Sequence, residues 1–180
     1  MPSIPLPDPP LFDDAVRLRP FVDADSSAVA AAMEDGDISR WTATIPWPYS
    51  EADARGWIGS QALRRETGQG LDLAITEGGE ALGAIGIDLD WDARCGQIGY
   101  WMSGTFRGRG LATRAAVLLS DWAVEALELD SLQLFTIEGN VASERVAAKA
   151  GFEVVERLAD QDLGTKRVSL SRWARTAANP

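Results

Sequence analysis

Phe106-Arg107-Gly108-Arg109-Gly110-Leu111-Ala112-Thr113 joins a strand-like stretch to the most regular amphipathic segment of the chain. Two glycines at such a junction let the backbone curl so that successive N–H groups point at one spot. The helix that follows adds its unsatisfied first-turn donors and about half a positive charge. Arg107 and Arg109 flank the turn, and Arg114 lies one helical turn further on. These are the ingredients of a cradle for a pyrophosphate.

The charge distribution agrees. The 180-residue chain carries 17 Lys and Arg against 27 Asp and Glu, a formal net charge of −10. Residues 93–120 nevertheless contain no acid, while Arg94, Arg107, Arg109 and Arg114 all fall inside them. An acidic protein that keeps one window purely basic is expected to hold an anion there. The alternative is a tight turn whose arginines are merely solvated.

Before the turn, residues 71–76, 81–89 and 97–102 alternate as strands do. Short links between them, one of them Gly78-Gly79, make an antiparallel meander. Earlier still, residues 16–20 read as a strand, and Asp23 or Asp25 is expected to cap a helix through Met33. Ser50-Glu51-Ala52-Asp53 resembles a capping box opening a helix to about Arg65. After the turn, Leu111, Ala115, Leu118, Leu119, Trp122 and Leu127 mark one face of a helix over about residues 110–127. Residues 132–137 form a strand, and Asn140 caps a short helix ending at Ala150. Gly151 supplies a left-handed C′ position, with Phe152 packed behind it. Strands over 152–158 and 166–173 close the chain.

The order is strand, helix, helix, three antiparallel strands, helix, strand, helix, two strands, a mixed α/β sheet in one domain. Five of the nine prolines lie within residues 1–10. Residues 1–14 are therefore expected to be a flexible arm, 15–175 the domain and 176–180 a tail.

Composition narrows the chemistry. Histidine is absent and Cys95 is the single cysteine, so a Ser-His-Asp triad, a Cys-His pair, a His-based zinc site and an internal disulfide are all excluded. No metal is expected. The acidic balance argues against a nucleic-acid partner, and the lack of an apolar run of about 18 residues argues against a membrane span. The N-terminus lacks the basic start and apolar core of a signal peptide, so a cytoplasmic protein is expected.

Gly108-Arg109-Gly110-Leu111-Ala112-Thr113 has a superficial likeness to a dinucleotide-binding GxGxxG, with Asp130 placed for a ribose contact. Thr113 stands where the third glycine belongs, and a meander precedes the turn where parallel βαβ steps are required. A dinucleotide-dependent oxidoreductase is the weaker reading. No Gly-Lys-Ser or Gly-Lys-Thr exists for a Walker A loop.

Arg107-Gly-Arg-Gly110-Leu-Ala112 resembles the Arg/Gln-x-x-Gly-x-Gly/Ala signature of the GNAT superfamily of N-acetyltransferases. Ile98-Gly-Tyr-Trp-Met102 resembles the fourth strand of its ribosomal-protein N-terminal acetyltransferase branch. Asn140-Val-Ala-Ser143-Glu-Arg-Val146-Ala-Ala-Lys149-Ala-Gly151-Phe152 fits that branch's Asn-x-x-Ser-x-x-Val-x-x-Lys-x-Gly-Phe pattern at every fixed position. The resemblance covers roughly residues 16–173.

The resemblance implies a GNAT-like fold in which acetyl-coenzyme A, the acyl donor, binds where the fourth and fifth strands splay apart. Its thioester arm would lie along Tyr100, Trp101 and Met102, with a backbone N–H near Met102 as oxyanion donor. Its pyrophosphate would sit on the amides of Arg107, Gly108, Arg109, Gly110, Leu111 and Ala112. Asn140 would bond the pantetheine arm. Lys149 would either approach a phosphate or be a solvated helix residue. Ser143 stands at the position that would protonate the departing thiolate; alternatively, Asn140 is an N-cap and Ser143 only its third residue.

Many relatives carry Glu where this chain has Gln97, which accepts no proton at neutral pH. Glu138, Asp88 and Asp90 are replacement candidates for the general base, each with a surface role as its alternative. Trp41 and Trp47, with Pro46, Pro48 and Tyr49, border the expected acceptor site, or else close the core beneath the loop. Net negative charge favours a cationic acceptor, either a protein N-terminus or a small amine. Cys95 reads as an inert strand-turn residue. Homodimers are common among proteins resembling this one. A binding module that keeps the coenzyme pocket without catalysis is the competing reading, and Gln97 is its argument.

Overall fold

Ser50 accepts a hydrogen bond from the Asp53 N–H at 3.2 Å while Asp53 accepts one from the Ser50 N–H at 2.8 Å, the reciprocal cap expected from the sequence. It starts the helix α3 (Glu51–Glu66), one of the two longest elements of the computed structural model, which describes residues 1–34, 36–42, 45 and 48–177. Before it come β1 (Arg17–Pro20), a 3-10 turn over Asp23–Asp25, α1 (Ser26–Met33) and α2 (Gly36–Trp41). After it come β2 (Gly70–Glu77), β3 (Glu80–Asp90), β4 (Cys95–Met102), a second 3-10 turn over Gly104–Phe106 and α4 (Leu111–Ala126). The chain ends with β5 (Ser131–Ile137), α5 (Val141–Lys149), β6 (Glu153–Asp162) and β7 (Arg167–Thr176).

Among the described residues the seven strands form one sheet in the order β1-β2-β3-β4-β5-β7-β6. The meander is present: β2, β3 and β4 pair antiparallel in sequence order. β4 and β5 form its one parallel pair. A doubly wound parallel sheet is thereby absent, and with it the dinucleotide reading. Asp130, the candidate ribose contact, instead pairs with Arg94 at 3.0 Å.

Alternation along the strands sorts side chains onto two faces. Leu71, Leu73, Ile75, Ile85, Ile87, Ile98 and Leu134 pack with Leu111, Ala115, Leu119 and Ala123 of α4 in the larger core. The opposite face carries a smaller core from Val29, Met33, Ile38, Ala54 and Ile58, with Trp57 and Trp101 packed against it. At the end of α5 the Gly151 N–H donates to Ala148 and the Phe152 N–H to Ala147, the left-handed stop expected at Gly151.

Three expectations need correction. Neither Asp23 nor Asp25 caps its helix by its side chain; Asp25 instead accepts the Val22 N–H at 2.9 Å and both guanidinium nitrogens of Arg19 at 2.7 Å. Burial pushes the Asp25 carboxyl up, but Arg19 and the Val22 N–H together hold it below its ordinary value. The one-and-a-half-turn α2 was not anticipated, because Gly36 reads as a helix breaker.

The Pro-rich arm does not lie outside the fold. Ile4 is fully buried, its N–H donates to Arg65 at 3.0 Å, and Arg65 returns a bond to the Ile4 carbonyl at 2.9 Å. Burying one apolar side chain is worth about 2 kcal/mol.

Candidate active site

β4 and β5 pair only over residues 95–98 and 131–134. Beyond Ile98 and Leu134 both strands continue, β4 paired to β3 through Met102 and β5 paired to β7 through Ile137. Their facing edges therefore part over residues 99–102 and 135–137, the splay expected between the fourth and fifth strands. Each strand keeps its outer ladder, so the opening is held rigidly. A cleft of about 1590 Å³ occupies the gap and runs to both faces of the sheet.

At one end of the cleft lies the glycine turn. Gly108 and Gly110 have φ of 75° and 80°, a left-handed conformation that favours glycine, and Gly110 is the N-cap of α4. A Cβ at either position would meet no protein atom. The backbone of the turn is therefore open to the cleft, which Arg107, Gly108, Gly110, Leu111 and Ala112 all line.

The arginines of the acid-free window do not stand unopposed. Arg107 Nη1 bonds Asp37 at 3.2 Å and its Nε donates to the Met102 carbonyl at 3.1 Å, pinning the end of β4 to the turn. Arg114 grips Asp13 and Asp14 at 2.8 and 2.5 Å. Arg109 is turned to Glu77 at 2.7 Å and does not line the cleft, unlike the other expected turn residues.

Alternation sends Tyr100 and Trp101 to opposite faces. Tyr100 Oη lies 2.7 Å from Ser143 Oγ and 3.3 Å from the Ser143 carbonyl. Burial pushes the phenol up to about 12, against a smaller opposing effect of the Ser143 bond, so it stays protonated at neutral pH. The Asn140 side chain accepts the Ser143 N–H at 3.2 Å, so it does cap α5. Asn140, Ser143 and Lys149 all line the cleft. The Tyr100–Ser143 pair escaped the sequence reading, because the two residues are far apart in the chain and meet only through the register of β4 against α5.

On the other face Trp101, Trp41, Tyr49 and Trp57 line the cleft, while Met102 lines it from the Tyr100 side. Trp47 and Pro46 lie outside the described residues. Of the candidate bases, Asp88 lines the cleft, and so does Gln97, which sits opposite it in the β3–β4 register. Glu138 and Asp90 do not line it; Asp90 accepts the Ala93 N–H at 3.0 Å in the β3–β4 turn.

A carboxylate that sequence reasoning missed does line it. Asp72 of β2 is half-buried beside α3, its Oδ2 3.7 Å from Arg64 Nε, and Arg64 Nη2 is in turn bonded to Asp88. Burial pushes the Asp72 carboxyl up to about 6; Arg64 opposes the shift and Asp88 adds to it. Its only sequence signal is a polar residue within the apolar run of β2. Among the described residues no cluster of three or more Cys, Asp or Glu is placed to hold a metal ion.

Comparison with known proteins places the arrangement. The family model described as an acetyltransferase (GNAT) domain matches residues 15–153. A protein of Bacillus subtilis (strain 168) named as ribosomal N-acetyltransferase YdaF is 33% identical over 139 residues, covering 76% of each chain. RimJ of Mycobacterium smegmatis, solved in complex with CoA-disulfide, superposes with a TM-score of 0.82 at 22% identity, over 90% of this chain and 82% of that one. The microcin C7 self-immunity acetyltransferase MccE, solved with acetyl-CoA and AMP, gives a TM-score of 0.82 at 17% identity, over 92% and 94%. With a glycine turn opening α4, a parted β4–β5 pair and a family match over most of its length, this chain belongs to the GNAT family of acetyltransferases.

Proposed function

We propose that the protein transfers the acetyl group of acetyl-coenzyme A to a primary amine, either a protein N-terminus or a small cationic amine. The observation that carries this reading is the parting of β4 from β5 above the cleft. Strand edges without partners are ready to pair with an amide-bearing chain, and the pantetheine arm has two amides. The site fits the coenzyme at its other end too, because the open glycine turn at the N-terminus of α4 suits a pyrophosphate. The ion pair of Arg107 with Asp37 is solvent-exposed and worth about 0–1 kcal/mol, so a diphosphate can compete for that guanidinium.

Bound there, acetyl-coenzyme A supplies the activated acyl thioester; the chain's own groups do the rest. The backbone N–H near Met102 stabilises the developing oxyanion. With Tyr100 as the donor in its pair with Ser143 Oγ, the Ser143 hydroxyl proton is free to turn toward the departing thiolate. Trp41, Trp101 and Tyr49 form an apolar wall for the acceptor, while Asp37, Asp53, Asp72 and Asp88 give that side of the cleft a negative lining. A cationic acceptor is favoured. The ribosomal N-acetyltransferase name of the Bacillus relative supports a protein N-terminus over a small amine.

Calorimetric titration with acetyl-coenzyme A, beside coenzyme A, ATP and NAD, followed by thiol detection across an amine panel, tests the proposal. Micromolar binding of the acetyl donor with amine-dependent thiol release is the expected result. Tight binding with no release across the panel overturns catalysis and leaves a coenzyme sensor, the reading that Gln97 favours. Binding of NAD in place of the coenzyme overturns the assignment of the glycine turn.

A further inference from the structure

We propose that Asp72 is the group that takes the proton from the acceptor amine. The inference rests on the acetyl-transfer reading and names a residue for the one role that the fourth strand leaves empty, since Gln97 occupies the position at which a carboxylate was sought.

Register fixes where Asp72 acts. It lies opposite Gly86 of β3, and Gly86 lies opposite Gly99 of β4. A Cβ at Gly86 would collide with Asp72 Oδ1, so the carboxylate leans across β3 into the space that glycine leaves. At Gly99 a Cβ would meet nothing within 4 Å, so the surface beyond is open to the cleft. Only one inter-strand spacing, about 4.8 Å, separates the carboxylate over β3 from the parted segment of β4. An amine bound there, or one bridging water, spans that distance.

The other cleft carboxylates are committed elsewhere. Asp37 sits beside Arg107 at the phosphate end of the cleft, Asp53 caps α3, and Asp88 holds Arg64 Nη2 on the solvent side. The charged groups facing Asp72 are Arg64 from α3 and Asp88 from β3; β4 contributes the uncharged Gln97. Arg64 divides its charge between two carboxylates, and its Nε is buried with no hydrogen-bond partner. Asp72 is consequently ionised at neutral pH yet far more basic than an exposed aspartate.

In the step, the ammonium gives one proton to the Asp72 carboxylate, directly or through water. The freed nitrogen lone pair forms the C–N bond to the acetyl carbonyl. The C–S bond then breaks, its electron pair leaves on sulfur, and the thiolate takes a proton from Ser143. The second amine proton passes through water to restore the Ser143 hydroxyl as the amide forms, and Asp72 releases its proton to solvent.

The test compares wild type, Asp72→Asn and Asp72→Glu with acetyl-coenzyme A and a panel of an N-terminal serine peptide, an N-terminal alanine peptide and spermidine. Rates are measured between about pH 5 and 9, alongside coenzyme affinity. Asp72→Asn is expected to lower kcat by roughly 10²–10⁴-fold, with coenzyme affinity unchanged. The wild-type rate should climb through pH about 6 and level off. In Asp72→Asn that limb disappears, and the residual rate keeps rising as the amine deprotonates in solution. Asp72→Glu should recover part of the rate. An Asp72→Asn enzyme with wild-type kcat and the same acid limb overturns the proposal alone, as does a loss confined to coenzyme affinity. A wild type that binds the coenzyme but acetylates no amine overturns the transfer reading, and this proposal with it.

Discussion

If the proposed acetyl transfer holds, the donor and acceptor walls of the cleft recognise by different means. The donor wall, from the second half of β4 through the glycine turn to α5, offers mainly backbone: parted strand edges and the amides of Gly108 and Gly110, with Ser143 added from α5. The acceptor wall, gathered from α2, α3, β2 and β3, offers side chains: aromatic rings, four carboxylates and Arg64. A backbone site tolerates many side chains but is destroyed by a change in backbone conformation. A side-chain site can be retuned one residue at a time without moving the sheet. On the proposed reading, the donor function would thereby be held constant while the acceptor can change.

Substitutions on each wall should separate these properties, and the largest effect belongs to the glycine turn. Gly110→Val places a β-branched residue at φ 80° and a Cβ where a phosphate would approach. Coenzyme affinity should fall at least ~100-fold, equivalent to about 2.8 kcal/mol, by calorimetry; wild-type affinity would sink the cradle. Gly86→Ala should do the reverse. Its Cβ evicts the Asp72 carboxylate, so kcat is expected to drop about 30-fold while coenzyme affinity stays within about twofold, a cost of roughly 2 kcal/mol in the transition state. Loss of coenzyme affinity in that variant would show that the walls are not independent. Ser143→Ala should slow turnover about tenfold with little loss of affinity, since water can protonate a thiolate more readily than it can replace a positioned base. An unchanged rate would leave Ser143 as a helix-capping partner of Asn140.

The same contrast explains what could be read from the chain. The glycine turn, the Asn140 cap and the Gly151 stop are local arrangements, each decided by residues a few positions apart, and each stands where its sequence put it. The meander was legible because short links force antiparallel neighbours. Asp72, by contrast, acquires its character from Arg64 on another element, Asp88 on the next strand and an absent side chain at Gly86. Register decides that constellation, and register is a non-local property. The pairing of Arg107 with Asp37 and of Arg114 with Asp13 and Asp14 was hidden for the same reason. An acid-free window in sequence is not an acid-free neighbourhood in space. α2 was hidden by Gly36, whose weak helical preference is outweighed by burial of Ile38.

The first fourteen residues bind two helices from one strap of chain. Ile4 is locked to the end of α3, while Asp13 and Asp14 hold Arg114 at the start of α4, on the other face of the sheet. Hinging either helix outward would have to extract Ile4 from a site where it is fully buried, at about 2 kcal/mol, or part Arg114 from both carboxylates. The back of the cleft is thereby stiffened. At the front, α2 is held from another element: the Lys166 ammonium reaches the carbonyls of Ser39 and Arg40 at 3.3 and 2.5 Å. Contacts from near both ends of the chain thus fasten three helices around the cleft.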